Sequence, residues 1–147
     1  MEIQIQNKKK HKQIRTSQIL RTAETLLNAL GKPDAELSIL VVSDDEIAEM
    51  NRQYLQRQGP TNVISFPMNE GEFNDINPEL LGDVVISVDT AEREAKEAGI
   101  DIIERFNDLL IHGILHLLGY DHETGDADAE RMAEKSKYLK KILQTKG

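Results

Sequence analysis

The chain has 147 residues, 39% of them hydrophobic and 30% charged, a balance that suits one soluble domain spanning residues 1–147. With no cysteine it has no disulfide, thiolate metal site or cysteine nucleophile, and no apolar run reaches the ~18 residues a membrane-spanning helix needs. The net charge of −8 argues against a nucleic-acid binder basic over its whole surface.

The charge is unevenly spread. Residues 1–33 carry seven Lys or Arg against two Glu, and residues 135–147 carry five Lys and no acid. An acidic body with two basic ends can offer an anionic partner a local basic face. The basic run from Lys8 to Lys12 has no apolar segment beside it, so the N-terminus does not read as a secretory signal. The expectation is a cytoplasmic protein that contacts neither membrane nor DNA.

Ile3 and Ile5 alternate with polar neighbours and predict a short first strand. Thr16 or Ser17 is then placed to cap a helix carrying Ile19, Ala23, Leu26, Leu27 and Leu30, closed by Gly31 and Pro33. The β-branched run Leu37 to Val42 predicts a buried strand, and Ser43 with Glu46 a capping box for a second helix through Tyr54. Gly59-Pro60 breaks the chain. Asn62 to Phe66 reads as a third strand, residues 68–80 as a long loop, and Asp83 to Val88 as a fourth strand. Asp89 or Thr90 is the expected cap of a short charged helix ending at Gly99. Two more helices follow, Ile102 to Leu118 and about Asp126 to Gln144. Four strands and five helices in this order predict an α+β fold with a small sheet.

The segment Ile102 to Glu123 carries the chemistry. Wound as a helix it is apolar almost all round, which predicts burial. A narrow polar stripe interrupts it. His116 falls about 40° from His112, Arg105 about 20° and Asp108 about 40° to the other side. Gly119 lets the chain turn out of the helix, and His122 follows. The spacing is His-x3-His-x5-His. Two imidazoles one helical turn apart can share an ion, and a third after a glycine turn completes a three-nitrogen face for Zn²⁺. Three protein ligands leave a fourth position for water or substrate, as in a catalytic site. Asp121 and Glu123 flank His122. Either could orient an imidazole N–H or act as base, with Asp121 the candidate carried forward; the other reading has Asp121 capping the turn and Glu123 solvated. His11, among lysines, reads as a solvated surface residue. Asn62 could contact substrate or serve a turn, and Ser65 reads as a strand residue. Metzincin peptidases share the histidine spacing but place glutamate directly after the first histidine as base. Here that residue is Gly113, which allows close packing instead and argues against peptide hydrolysis.

The segment IHGILHLLGYDH (Ile111 to His122), with PTNVISFP (Pro60 to Pro67) and LGDVVIS (Leu81 to Ser87), resembles the YbeY family of zinc-dependent endoribonucleases. The resemblance implies a zincin-like α+β fold and one zinc ion per chain held by His112, His116 and His122. It implies single-strand-specific cleavage of RNA in small-subunit (16S) ribosomal RNA maturation and ribosome quality control. The ribosome and its small-subunit proteins are the implied partners. The family places a functional arginine directly after a tyrosine ahead of the third strand. Here Tyr54 is followed by Leu55, and Arg57 is the candidate substitute. Two other readings remain at this point: a ribosome-assembly binding factor with structural zinc, and a metallopeptidase on the same scaffold.

Overall fold

Alternation along the strands decides which side chains face which layer. In the computed structural model, which describes residues 1–68, 79–120 and 125–146, β1 (Glu2–Asn7), β2 (Glu36–Val42), β3 (Val63–Pro67) and β4 (Leu80–Ser87) form one sheet in the order β1-β2-β4-β3. β1, β2 and β4 run parallel, and β3 closes one edge antiparallel to β4. Leu37, Ile39, Val41, Val84 and Ile86 point into the main core, with Ile3, Ile5 and Val63 beside them. Val42, Ile64 and Val85 point the other way, joined by Leu40 and Phe66.

The helices cover these faces unequally. α1 (Thr16–Ala29), α3 (Val88–Ala98), α4 (Ile102–Leu117) and α5 (Asp126–Lys146) bury their apolar residues in the main core. α2 (Asp44–Leu55) covers the second face through Ile47 and Met50, with the Tyr54 ring edge-on to Phe66 at 5.5 Å. α4 is the most deeply buried helix. Phe106, Leu110, Ile114 and Leu115 are almost wholly enclosed, each contributing about 1.5–3 kcal/mol by burial. This is the enclosure that its all-round apolar sequence predicts.

Several helix starts differ from the sequence expectation. Thr16 is the first residue of α1 rather than its cap, and its hydroxyl receives a 3.5 Å hydrogen bond from Asn7. Ser43 caps α2 as expected, accepting from the Glu46 N–H, but the Glu46 carboxylate reaches Lys8 and not back to Ser43. α3 is capped by Ser87, and the expected caps, Asp89 and Thr90, lie inside its first turn with their side chains on Asp44. Asp89 accepts from the Asp44 N–H at 2.9 Å, and the Thr90 hydroxyl donates to the Asp44 carboxylate at 2.6 Å. β4 begins at Leu80, three residues early. Gly82, at φ +133°, lies opposite Pro67, and a β-carbon there would sit 2.2 Å from the Phe66 carbonyl oxygen. Only glycine lets these backbones pair so closely. Of the expected loop 68–80, residues 69–78 lie outside the described residues.

Asp44 joins the starts of α2 and α3. Its carboxylate accepts from the Ser87 hydroxyl at 2.7 Å, from Thr90 and from the Arg93 guanidinium. Burial pushes this carboxyl up, but the hydrogen bonds from Arg93, Thr90 and Ser87 together outweigh burial, and its pKa lies below the ordinary value. A carboxyl held low when folded stabilises the fold above its unfolded pKa of ~3.9, and that stability is lost as pH falls through the folded pKa. Asp44→Asn is expected to cost about 1–3 kcal/mol at pH 7, and the gap from wild type should narrow as pH falls below about 4. Urea midpoints across pH check this. A gap that stays constant would contradict it.

Candidate metal centre

The polar stripe on α4 is a working surface in two parts. Toward the N-terminal half it ties helices together. Arg105 donates to Glu94 of α3 at 3.0 Å, and Lys140 of α5 reaches Glu104 at 3.1 Å and Asp108 at 3.3 Å. These partly exposed pairs contribute little each, about 0–1 kcal/mol, but they fix the roll of α4. Toward the C-terminal half the stripe carries His112 and His116, both half-buried. Their Nε2 atoms face each other at 3.0 Å, with ring centroids 4.5 Å apart and planes at 65°. Two ligand nitrogens at ~2.0–2.1 Å from a tetrahedral Zn²⁺ stand roughly 3.3 Å apart, so this pair is already close to ligand spacing.

The helix reaches this position because residue 113 has no side chain. A β-carbon on Gly113 would lie 2.6 Å from Val84 Cγ1 and 3.3 Å from Val63 Cγ2. α4 therefore rests directly on the β3–β4 pair at the turn between the two histidines. Ser65 of β3 locks the contact, its hydroxyl donating to the Gly113 carbonyl at 2.9 Å. Serine in a strand carries no sequence signal for this role. Gly113 does, through its departure from the peptidase pattern. Beyond His116 the chain leaves the helix at Gly119, φ +95°, as expected, and the Tyr120 N–H closes the turn on the Leu115 carbonyl at 3.0 Å.

The remaining candidates divide. His122, Asp121 and Glu123 lie outside the described residues. Among the described residues no three His, Asp or Glu side chains meet as a metal-binding group, so His112 and His116 are the described part of any such site. Arg57 is exposed just beyond α2, where Gln56 at φ +56° ends the helix. α2 packs on the sheet face opposite α4. Asn62 is structural, its amide on the Glu94 carboxylate at 3.3 Å and its carbonyl accepting from the Ser87 N–H. His11 is not the solvated residue its sequence neighbours suggest. It is half-buried, accepts from the Gln13 N–H at 3.1 Å and lies 3.5 Å from Glu92.

Comparison with known proteins covers almost the whole chain. The sequence profile of the family described as Endoribonuclease YbeY matches residues 4–144. A protein named Endoribonuclease YbeY from Geobacter sulfurreducens is 50% identical over 148 residues, covering 100% of this chain and 99% of its own. One of the same name from Aquifex aeolicus is 46% identical over 132 residues, covering 90% of this chain and 86% of its own. The solution structure of TM1509 from Thermotoga maritima superposes with a TM-score of 0.68 at 30% identity, covering 98% of this chain and 90% of that one. Gly113→Ala tests the packing that positions the histidines. It is expected to destabilise by about 1–3 kcal/mol through overpacking, with much of the loss restored by adding Val84→Ala. Denaturant midpoints of the four proteins in the cycle measure this, and equal losses with and without Val84→Ala would contradict it.

Proposed function

The chain belongs to the YbeY family of endoribonucleases, and on that footing we propose that it is a zinc-dependent, single-strand-specific endoribonuclease that matures small-subunit (16S) ribosomal RNA. The observation that carries this reading is the convergence of the His112 and His116 Nε2 atoms at 3.0 Å. We place its work in the cytoplasm, on ribosomal RNA and the small ribosomal subunit, as part of ribosome quality control. Residues 1–147 act in this reading as one hydrolase domain.

His112, His116 and His122 are the residues that would hold one zinc ion, leaving its fourth position to water or substrate. His122 follows Tyr120 by two residues in the sequence. Zn²⁺ bound there would supply positive charge to polarise a phosphoryl oxygen. The chain's own residues do the rest. Each imidazole binds neutral through one nitrogen, and its remaining N–H needs an acceptor that fixes the ring. Asp121, beside His122, is our candidate for that acceptor, or for the base that takes a proton from the attacking hydroxyl.

RNA suits this residue set better than peptide. A ribose 2′-hydroxyl attacking the adjacent 3′-phosphate gives up its proton and forms a 2′,3′-cyclic phosphate as the P–O5′ bond breaks and the leaving 5′-oxygen takes up a proton, so the glutamate base that peptidases use to activate water is not required. The backbone at Gly113, where that glutamate would stand, is instead locked against β3 by Ser65. Arg57, exposed and without an ion pair among the described residues, is free to meet a substrate phosphate.

Elemental analysis of the purified protein is expected to find one zinc per chain in the wild type and none in His116→Ala. Cleavage of single-stranded RNA by the variant should fall by more than the ~10–100-fold that loss of an outer-shell partner costs. Its circular dichroism should remain that of a folded protein, because His116 is not part of the fully enclosed core. A metal-free wild type that still cleaves RNA would overturn the proposal. A variant that unfolds would favour a structural ion instead.

A further inference from the structure

The chain is strongly acidic, yet five exposed cations near its N-terminus have no ion-pair partner among the described residues. These are Lys9, Lys10, Lys12, Arg15 and Arg21, whereas Lys8, in the same run, is taken up by Glu46. Lys9 to Lys12 follow the end of β1, with the Lys8 and Lys9 N–H groups bonded to the Val41 carbonyl at the end of β2. Arg15 stands at the N-cap position of α1 and Arg21 lies within the helix. There they border a groove of about 530 Å³, walled by Ser17, Gln18, Thr22 and Asn107. The floor is apolar, from Ile103 and Leu143. The adjoining groove carries three carboxylates, Asp101, Glu104 and Asp108, and Lys140 pairs with the last two.

This surface is not the approach to the histidines. Ile103 and Asn107, which face the groove, stand roughly 180° and 140° around α4 from His112. The α-helix with its side chains, about 10–12 Å across, therefore separates groove from imidazoles. The sheet says the same. β1 and β3 are its two edges, three strand spacings or about 14 Å apart. α4 lies on the β3 side, where Gly113 meets Val63 and Val84.

We propose that this N-terminal surface is a second RNA contact, which binds the phosphate backbone of the substrate at a distance from the cleavage site. The proposal rests on the RNA-cleaving reading above and gives it a separate anchor. Paired guanidiniums suit phosphate oxygens, and the hydroxyls and amides along α1 suit phosphate and the ribose 2′-hydroxyl. An RNA held here and cut at the histidines must span the helix and the sheet. The anchor therefore favours long single strands and acts on binding, not on the chemical step. It also localises RNA affinity on a protein whose average charge opposes it.

The test is the variant Arg15→Gln/Arg21→Gln beside a control of equal charge change on α5, Lys137→Gln/Lys141→Gln. Both pairs are exposed. For long single-stranded RNA, the first variant is expected to lose about tenfold in affinity at low salt, and its log–log salt slope should shrink by about 1.4, near 0.7 for each phosphate no longer neutralised. KM should rise with Kd while kcat at saturating RNA stays unchanged. The control should show neither change. Unaltered affinity, an equal loss in the control, a fall in kcat, or binding to phosphatidylglycerol vesicles in preference to RNA would each overturn the anchor. A wild type that binds RNA through these arginines yet cuts none would sustain the anchor while removing the catalytic reading.

Discussion

α4 approaches the β3–β4 pair more closely than a β-carbon at residue 113 would allow, and the rest of the site follows from that contact. The Val84 methyls fill the space that an alanine side chain would need, 2.6 Å from where its β-carbon would be. Ser65 then holds the backbone at the same point by its bond to the Gly113 carbonyl. With the helix fixed in height by this contact and in roll by Arg105–Glu94 and Lys140–Asp108, His112 and His116 have little freedom. Their rings meet at their outer nitrogens because the backbone beneath them cannot shift. In the proposed role, a pair of rings preset in this way would avoid ordering two side chains on binding an ion, which is the usual cost of assembling a site from flexible parts.

The placement of charge follows the same logic. The acidic middle of the chain commits many of its carboxylates to the fold. Asp44 joins two helix starts, Glu94 receives both Asn62 and Arg105, and Glu104 and Asp108 hold α5 through Lys140. The cations near the N-terminus are mostly without an ion pair among the described residues, and two of them, Arg15 and Arg21, line one groove beside α1. A net charge of −8 therefore describes the average of the surface and not the part that meets a polyanion.

Much of this was legible in the residues. Period-two alternation at Ile3 and Ile5, the β-branched runs and the glycine stops locate the four strands and five helices, because burial on one face is a strong and local constraint. The His-x3-His spacing likewise placed two rings on one side of one helix, since helical geometry alone guarantees it. What sequence could not show are contacts between distant segments. Ser87 caps α3, whose first turn already contains Asp89 and Thr90, and all three side chains meet Asp44, 43 residues before Ser87. His11 is drawn in by Glu92 of α3 rather than lying among its lysine neighbours. The early start of β4 depends on how Gly82 meets the Phe66 carbonyl across the sheet. Nor could sequence show that β1, which leads into the basic run, is the edge of the sheet away from β3, since that rests on the order β1-β2-β4-β3.

X-ray absorption at the zinc edge of the purified protein tests the central claim most directly, because it counts the rings around the ion without reference to activity. Three imidazole nitrogens and one oxygen at about 2.0–2.1 Å are predicted, with one imidazole lost in each single His→Ala variant. Fewer than three imidazoles in the wild type, or a fourth protein ligand closing the site, would contradict it.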